Sequence, residues 1–322
     1  MKKSYLLFSS VLFLLTLSSC DQSFNPKADY HEKYVLNCIL CGDTLYQAAV
    51  LSHSYDVNGF DPYVNTTDPA ITGADLRLWY NDTVYIFRDS VVTRLGNSRY
   101  DDSLRIYYLN NIHIDYDKPI EIEALLPNGK RLKSSTTSAL PIVFDLPNSE
   151  KLIPPINSNL VAVKWDQSQN DIEFYLPKFQ VTYYKNVNGQ QEMHTIEIPI
   201  RYNLDNGEYI PVYPIASNHT SIAYDPDDIK RALLSISEGD PQKNNYSIPI
   251  NNSLKVYGLD ANLARYYSAN RQENNFTVRL DENDYSNIDG GFGVFGSYIV
   301  STYILKFNPG FITDLGYNVV TQ

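Results

Sequence analysis

The chain has 322 residues, 43% of them apolar and 20% charged, with 26 Lys and Arg against 37 Asp and Glu, for a formal net charge of -11. That balance excludes a nucleic-acid binder, which needs a clustered surplus of Lys and Arg to neutralise phosphates, and it disfavours an anionic membrane surface as partner. The length allows about two domains with buried cores and no disulfide framework, and 27 Tyr against 2 Met and 2 Trp, with Asn and Asp between short apolar runs, is the composition of a β protein.

Residues 1–19 have the three parts of a secretory signal: Lys2-Lys3, an apolar run from Tyr5 to Leu17, and a small-residue ending. The run is too short to span a bilayer. Its ending, Leu17-Ser18-Ser19-Cys20, resembles a bacterial lipobox, which makes Cys20 the lipidated first residue of the mature chain and tethers the protein to a membrane without a spanning segment. Residues 20–27 are polar, lack apolar periodicity and read as the tether.

From Lys33 short apolar runs alternate with turn residues. Strands are expected at Tyr34 to Leu40, Leu45 to Ser52, Ala74 to Tyr80, Thr83 to Phe87, Arg105 to Tyr108 and Pro119 to Leu126, with hairpin turns at Asn81-Asp82 and Asn128-Gly129. Cys38 and Cys41 form a CxxC inside or at the end of the first strand, not at the start of a helix as in thioredoxin-type redox motifs. Residues three apart in an extended strand are about 10 Å apart, beyond disulfide reach. Packed thiols and a local disulfide closed by a turn at Cys41-Gly42-Asp43 both remain open; with no second CxxC, a zinc site lacks ligands.

Between Leu51 and Gly73 lies a polar loop too long for a hairpin connection. Long loops on a rigid sheet are where binding sits, and Tyr55, Phe60 and Tyr63 are its candidate binding residues, because exposed aromatic rings anchor interfaces. Other tyrosines in expected strands or adjoining loops are Tyr80, Tyr183, Tyr184, Tyr202, Tyr209, Tyr213 and Tyr224, and tyrosine is also an ordinary strand residue.

Pro141, Pro147, Pro154 and Pro155 cannot continue a central ladder and mark a crossing between domains. The expected division is an N-terminal β-sandwich over 28–140 and a C-terminal one over 141–322. The second restarts with strands at Leu160 to Trp165, Ile172 to Leu176 and Phe179 to Lys185. Asn188-Gly189 then turns into Glu192 to Tyr202, whose Pro199 marks an edge. Asp225-Pro226-Asp227-Asp228 reads as a helix start, with Asp225 as cap, rather than a calcium site. A further helix near Asp260 to Arg271 places Leu263, Tyr266 and Tyr267 on one face. Gly291-Phe292-Gly293-Val294-Phe295-Gly296 matches GxGxxG, but turn residues precede it and a strand follows from Ser297, so close backbone approach in a sheet accounts for the glycines better than a nucleotide does.

The five histidines, His31, His53, His113, His194 and His219, show no metal spacing, and no GxSxG elbow is present. Acid pairs such as Asp101-Asp102, Asp115 with Asp117, and Asp281-Glu282 with Asp284 could in principle supply a glycosidase's two carboxylates, and in an acidic protein such pairs are ordinarily solvated surface. No catalytic set, cofactor or metal is therefore expected.

Several stretches together resemble the Bacteroidota outer-membrane lipoproteins catalogued as domain of unknown function 4249: Cys20, Tyr34 to Leu40, Ala49 to Tyr55, Gly73 to Leu78, Leu263 to Tyr267 and, most specifically, Ser286 to Gly296. The likeness covers nearly the whole mature chain and departs from the family pattern at Cys38. It implies a lipid-anchored outer-membrane protein, on the cell surface or the periplasmic face, with Ig-like β domains and no established catalytic residues. It further implies a companion role beside a TonB-dependent transporter. The expectation is thus a mainly β chain of two Ig-like sandwiches, the second with short helices, acting as a non-enzymatic accessory that binds a protein or a glycan. An adhesin or fimbria-like component assembled by strand exchange is the structural alternative, and a glycan-active hydrolase the enzymatic one.

Overall fold

A computed structural model describes residues 29–59, 61–94, 96, 98–145, 151–156, 158–166, 174–269 and 285–321. Residues Lys33–Gln322 make one compact unit and Met1–Glu32 another, of which only 29–32 are described. The chain is mainly β with few helices, the class its composition predicts.

The first strands follow the period-two alternation of their apolar residues. In β1 (Tyr34–Cys41) Tyr34, Leu36, Cys38 and Leu40 are buried, and in β2 (Gln47–His53) Ala49 and Leu51 follow suit. β3 (Asp75–Tyr80) and β4 (Thr83–Ile86) turn through Asn81 and Asp82, at φ 48° and 56°. Two left-handed residues give a two-residue turn whose twist matches the strands. β5 (Arg88–Val92), β6 (Leu104–Leu109), β7 (Pro119–Leu125) and β8 (Arg131–Thr137) complete this part. β8 is the second arm of the hairpin expected at Asn128-Gly129, whereas β5 is not among the expected strands. The β5 sequence is largely exposed and carries little hydrophobic pattern, and its neighbouring ladder to β6 imposes the strand conformation.

The proline-rich crossing contains two short strands, β9 (Val143–Phe144) and β10 (Lys151–Ile153), and β11 (Val161–Asp166) follows. The next two expected strands are one, β12 (Phe174–Val187). Pro177 sits inside it, paired in register with Val256. The Tyr175 amide points away from that ladder, to Ser217 O at 2.6 Å, and residue 177 shares its direction. The missing proline donor therefore faces the gap between Ser217 and Ile198, where no partner strand requires it.

The expected run from Glu192 to Tyr202 is also corrected. It splits at Pro199 into β13 (Gln190–Ile198), an edge strand, and β14 (Arg201–Asp205), which among the described residues pairs only with β15 (Glu208–Val212). β16 (Ser221–Tyr224) leads to α1 (Pro226–Ser235), where Asp225 caps the helix by accepting from Asp227 N at 2.8 Å and Ile229, Ala232 and Leu233 are buried. β17 (Tyr246–Pro249), β18 (Asn251–Leu259), α2 (Ala261–Ala269), β19 (Phe295–Phe307), α3 (Pro309–Thr313) and β20 (Asn318–Val320) follow. On α2 Leu263 and Ala264 are buried but Tyr267 is exposed, so the apolar face is narrower than the expected set that included Tyr267.

Among the described residues the largest sheet runs β20-β17-β12-β18-β19-β1-β2-β6-β5, with β10 beside β19 and β13 beside β12. β4-β3-β7-β8 form a second sheet. Leu36, Leu40, Leu51 and Tyr107 from the first sheet and Leu76, Leu78, Ile120, Ile122 and Leu132 from the second share one hydrophobic core, the arrangement of a sandwich. A second core joins Phe179, Val181, Leu254 and Phe307 to Val161, Val163 and Trp165 of the β16-β11-β9 sheet and to Ile229 and Leu233 of α1. Each such side chain contributes about 1.5–3 kcal/mol by leaving water.

β19 joins the two halves. It pairs antiparallel with β18 and parallel with β1, from Cys38 opposite Phe295 to Cys41 opposite Tyr298. The glycines ahead of it let residues 291–294 run against β1: Phe292 N reaches Tyr34 O at 2.8 Å, and Leu36 N and Cys38 N reach Phe292 O and Val294 O at 2.9 Å each. A Cβ on Gly291 would lie 2.7 Å from Tyr34 O, and one on Gly293, at φ 111°, would run into Leu36 O and sit 2.8 Å from its carbonyl carbon. Close backbone approach is thus the physical content of this motif.

Asp260 ties the same region together. Its Oδ1 accepts from Leu263 N at 2.8 Å, capping α2, while Oδ2 accepts from Ser297 N at 2.6 Å and Thr136 Oγ1 at 2.5 Å. Burial pushes its carboxyl above the ordinary value, and the donors, Thr136 first, pull it back.

Candidate functional site

Two loops build the most chemically organised exposed surface among the described residues. The first, between β2 and β3, is stiffened by a turn of 3-10 helix at Pro62–Val64, where Asp61 accepts from Tyr63 N at 2.9 Å. The second connects β5 to β6. Asp101 N donates to Thr66 O at 3.1 Å, Asp68 N to Asp102 Oδ2 at 3.3 Å, Arg94 Nε to Asp102 O at 2.8 Å, and Arg94 pairs with Asp68.

This scaffold gathers three tyrosines around one arginine. Arg99 Nη2 donates to Tyr55 OH and to Tyr100 OH, both at 2.6 Å. Its guanidinium carbon lies 4.7 Å from the Tyr100 ring centre, 5.3 Å from Tyr63 and 5.7 Å from Tyr55, within the range of cation-π attraction. Tyr63 is 72% exposed. Rings held by hydrogen bonds and a central cation lose little freedom when a partner arrives. The remaining guanidinium donors, Nε and Nη1, have no hydrogen-bond partner among the described residues, and a planar fork of that kind suits a carboxylate or a backbone carbonyl.

Of the expected site residues, the structure therefore brings Tyr55 and Tyr63 together. Phe60 and Cys20 lie outside the described residues. Arg99 and Tyr100 were missed, and the signal was present: a basic and an aromatic residue adjoin the Asp101-Asp102 pair in a polar loop. No sequence pattern tells which of two loops face each other, so the cluster needed the fold.

The remaining candidates have structural employment. Asp102 fastens the two loops, as above. Asp115 accepts from Tyr80 OH at 2.7 Å and Asn81 Nδ2 at 3.2 Å, and these bonds, that of Tyr80 first, hold its carboxyl below the ordinary value. Asp117 occupies a left-handed turn position, its amide bonded to Ser138 O at 3.2 Å. Asp281, Glu282 and Asp284 lie outside the described residues. Tyr80 and Tyr224 are buried, Tyr183 stacks on His194 at 5.2 Å, and Tyr202 and Tyr209 pack on Arg231 of α1. Cys38 and Cys41 are free thiols; burial pushes Cys38 up to about 12, which removes thiolate reactivity. Among the described residues no three His, Cys, Asp or Glu side chains are grouped to hold a metal ion, and no helix is long and apolar enough to cross a membrane. No protein-family model matches the chain, and no curated protein matches it.

Proposed function

We propose that this protein is an outer-membrane lipoprotein, anchored through Cys20, that acts without catalysis as a binding or accessory component beside a TonB-dependent transporter and docks its partner through the Tyr55, Tyr63, Tyr100 and Arg99 surface. The observation that carries the reading is that surface. It combines the residue types that dominate interface energetics, Tyr and Arg, in one loop-borne, preorganised and accessible patch. The Leu17-Ser18-Ser19-Cys20 ending supports the anchor, and the resemblance of Ser286 to Gly296 to the lipoprotein family supports the setting.

The test has two arms in native cells. Metabolic labelling with a clickable fatty acid should mark the chain and retain it in the outer-membrane fraction, and Cys20→Ser should lose both; an unlabelled wild-type chain would sink the anchor. Crosslinking on intact cells should then capture a barrel transporter in stoichiometric amount, with capture reduced at least fivefold in a Tyr63→Ala, Arg99→Ala double variant that still carries its lipid. A labelled protein recovered alone, or captured equally well with both side chains removed, would refute the docking role.

A further inference from the structure

The β4-β3-β7-β8 sheet has an outward face that neither core uses. Register sets Val84, Trp79, Glu121 and Ser135 in one row across it, and Ile86, Arg77, Glu123 and Lys133 in the next. In the second row Glu123 is neutralised by Arg131 at 2.7 Å and Lys133 at 2.9 Å. In the first row Glu121 and Ser135 are exposed and Trp79 is half-buried, and among the described residues the Glu121 carboxylate, the Ser135 hydroxyl and the Trp79 indole have neither ion pair nor hydrogen bond.

A wall rises beside this row. Asn262, on α2, donates to Ser135 O at 2.9 Å and accepts from Tyr285 OH at 2.9 Å. Asn287 is fixed by both its amide atoms to the Phe295 backbone, at 2.7 and 2.9 Å, and Asp289 exchanges two backbone bonds with Lys133. Sheet face and wall enclose a cleft of about 520 Å3, within the size range of small-molecule sites. It shares Glu121, Ser135 and Asn262 with a second cavity of about 390 Å3.

We propose that this cleft binds a neutral carbohydrate, with Trp79 as the platform beneath a pyranose ring and Glu121 and Ser135 as partners of its hydroxyls. The lining selects the class. Anions are repelled by Glu121 and Asp289, since the one lysine present is already paired with Glu123. An apolar ligand would bury a carboxylate without compensation. A sugar supplies what both surfaces lack: polarised C–H groups for the negative face of the indole, and hydroxyl donors for a carboxylate with its acceptor sites unfilled. The wall is already hydrogen-bonded, so the cleft needs no rearrangement to receive it. The proposal rests on neither Cys20 nor the tyrosine–arginine surface, none of whose residues lines the cleft.

The chain holds 2 Trp, and the other, Trp165, is 2% exposed with an indole nitrogen that has no partner among the described residues. Trp165→Phe therefore leaves Trp79 as sole reporter while removing an unsatisfied donor. Gluco-, manno-, xylo- and galacto-oligosaccharides are titrated against Trp79 emission and acrylamide quenching, with oligogalacturonate as the anionic control. At least one neutral series should shield Trp79 saturably, the acid should not, and Glu121→Ala should weaken the response tenfold or more. Saturation-transfer NMR on the native chain, with Trp79→Ala as its control, gives the same decision if Trp165→Phe fails to fold. No response to any neutral series up to about 10 mM, beyond the weak end of specific binding, would overturn the proposal, as would an undiminished response in Glu121→Ala.

Discussion

Replacing Gly293 by alanine tests whether β1 and the glycine segment touch as closely as described. Two costs combine. At φ 111° an alanine adopts a backbone region that costs about 1–3 kcal/mol. Its Cβ would also meet the Leu36 carbonyl, and relief requires the segment to withdraw from β1, weakening the Leu36-to-Phe292 and Cys38-to-Val294 bonds at about 0.5–1.5 kcal/mol each. The expected loss is about 2–6 kcal/mol, against a total stability of about 5–15 kcal/mol for a typical domain. Gly129→Ala is the control, because Gly129 has φ 84° but nothing within 4 Å of where its new methyl would stand, so only the left-handed cost of about 1–2 kcal/mol applies. Urea unfolding followed by circular dichroism should place the Gly293→Ala midpoint below that of Gly129→Ala by about 1 M, given slopes of about 1–3 kcal/mol per M. Midpoints that coincide would refute the close approach.

Asp260→Asn would turn an amide NH2 toward the Ser297 amide or the Leu263 amide, one donor facing another, and should cost about 1–3 kcal/mol by calorimetry. Because burial raises the Asp260 carboxyl in the folded chain, the folded state holds its proton more tightly, so this group's contribution to stability declines as pH rises from its unfolded value of about 3.9 through the folded one. A pH series of denaturation midpoints should lose that component in the variant. Tyr80→Phe removes the first of the bonds that hold Asp115 low, so the Asp115 resonance should titrate at higher pH. The wild-type contribution is present at neutral pH and fades as pH falls through the folded value, and the variant should lose less stability in acid. Iodoacetamide at pH 8 should label Cys41 well before Cys38, whose buried thiol is pushed up to about 12; equal rates by peptide mapping would contradict its burial.

Features fixed by neighbouring residues were legible in the sequence. The Asn81-Asp82 and Asn188-Gly189 turns, the Asp225 cap and the alternation of β1 and β11 all rest on contacts within a few positions, where residue chemistry dictates backbone shape. Pro177 and Pro199 show the limit. Each breaks a ladder only if a partner needs its donor, and the sequence does not say which side is occupied: Pro177 continues a strand, while Pro199 ends one. Tyr55 and Tyr63 could be nominated as loop aromatics, but Arg99, which orders them, arrives from a different loop. Trp79 and Glu121 lie 42 positions apart in unremarkable strand patterns, and only the register of β3 on β7 makes them neighbours.

The placement of β19 has a bearing on how the chain reaches its native state. Val294 and Asn37 are 257 positions apart, and β1 meets β18 only through the strand between them. While the polypeptide is being made, β1 must wait with one flank unpaired until almost the whole sequence has emerged. Such distant closure is slow, and an unpaired strand edge is a template for wrong association. The protein should therefore depend on a holding factor during synthesis or transport more than its size suggests, and early termination before residue 295 should yield aggregates rather than a folded N-terminal half.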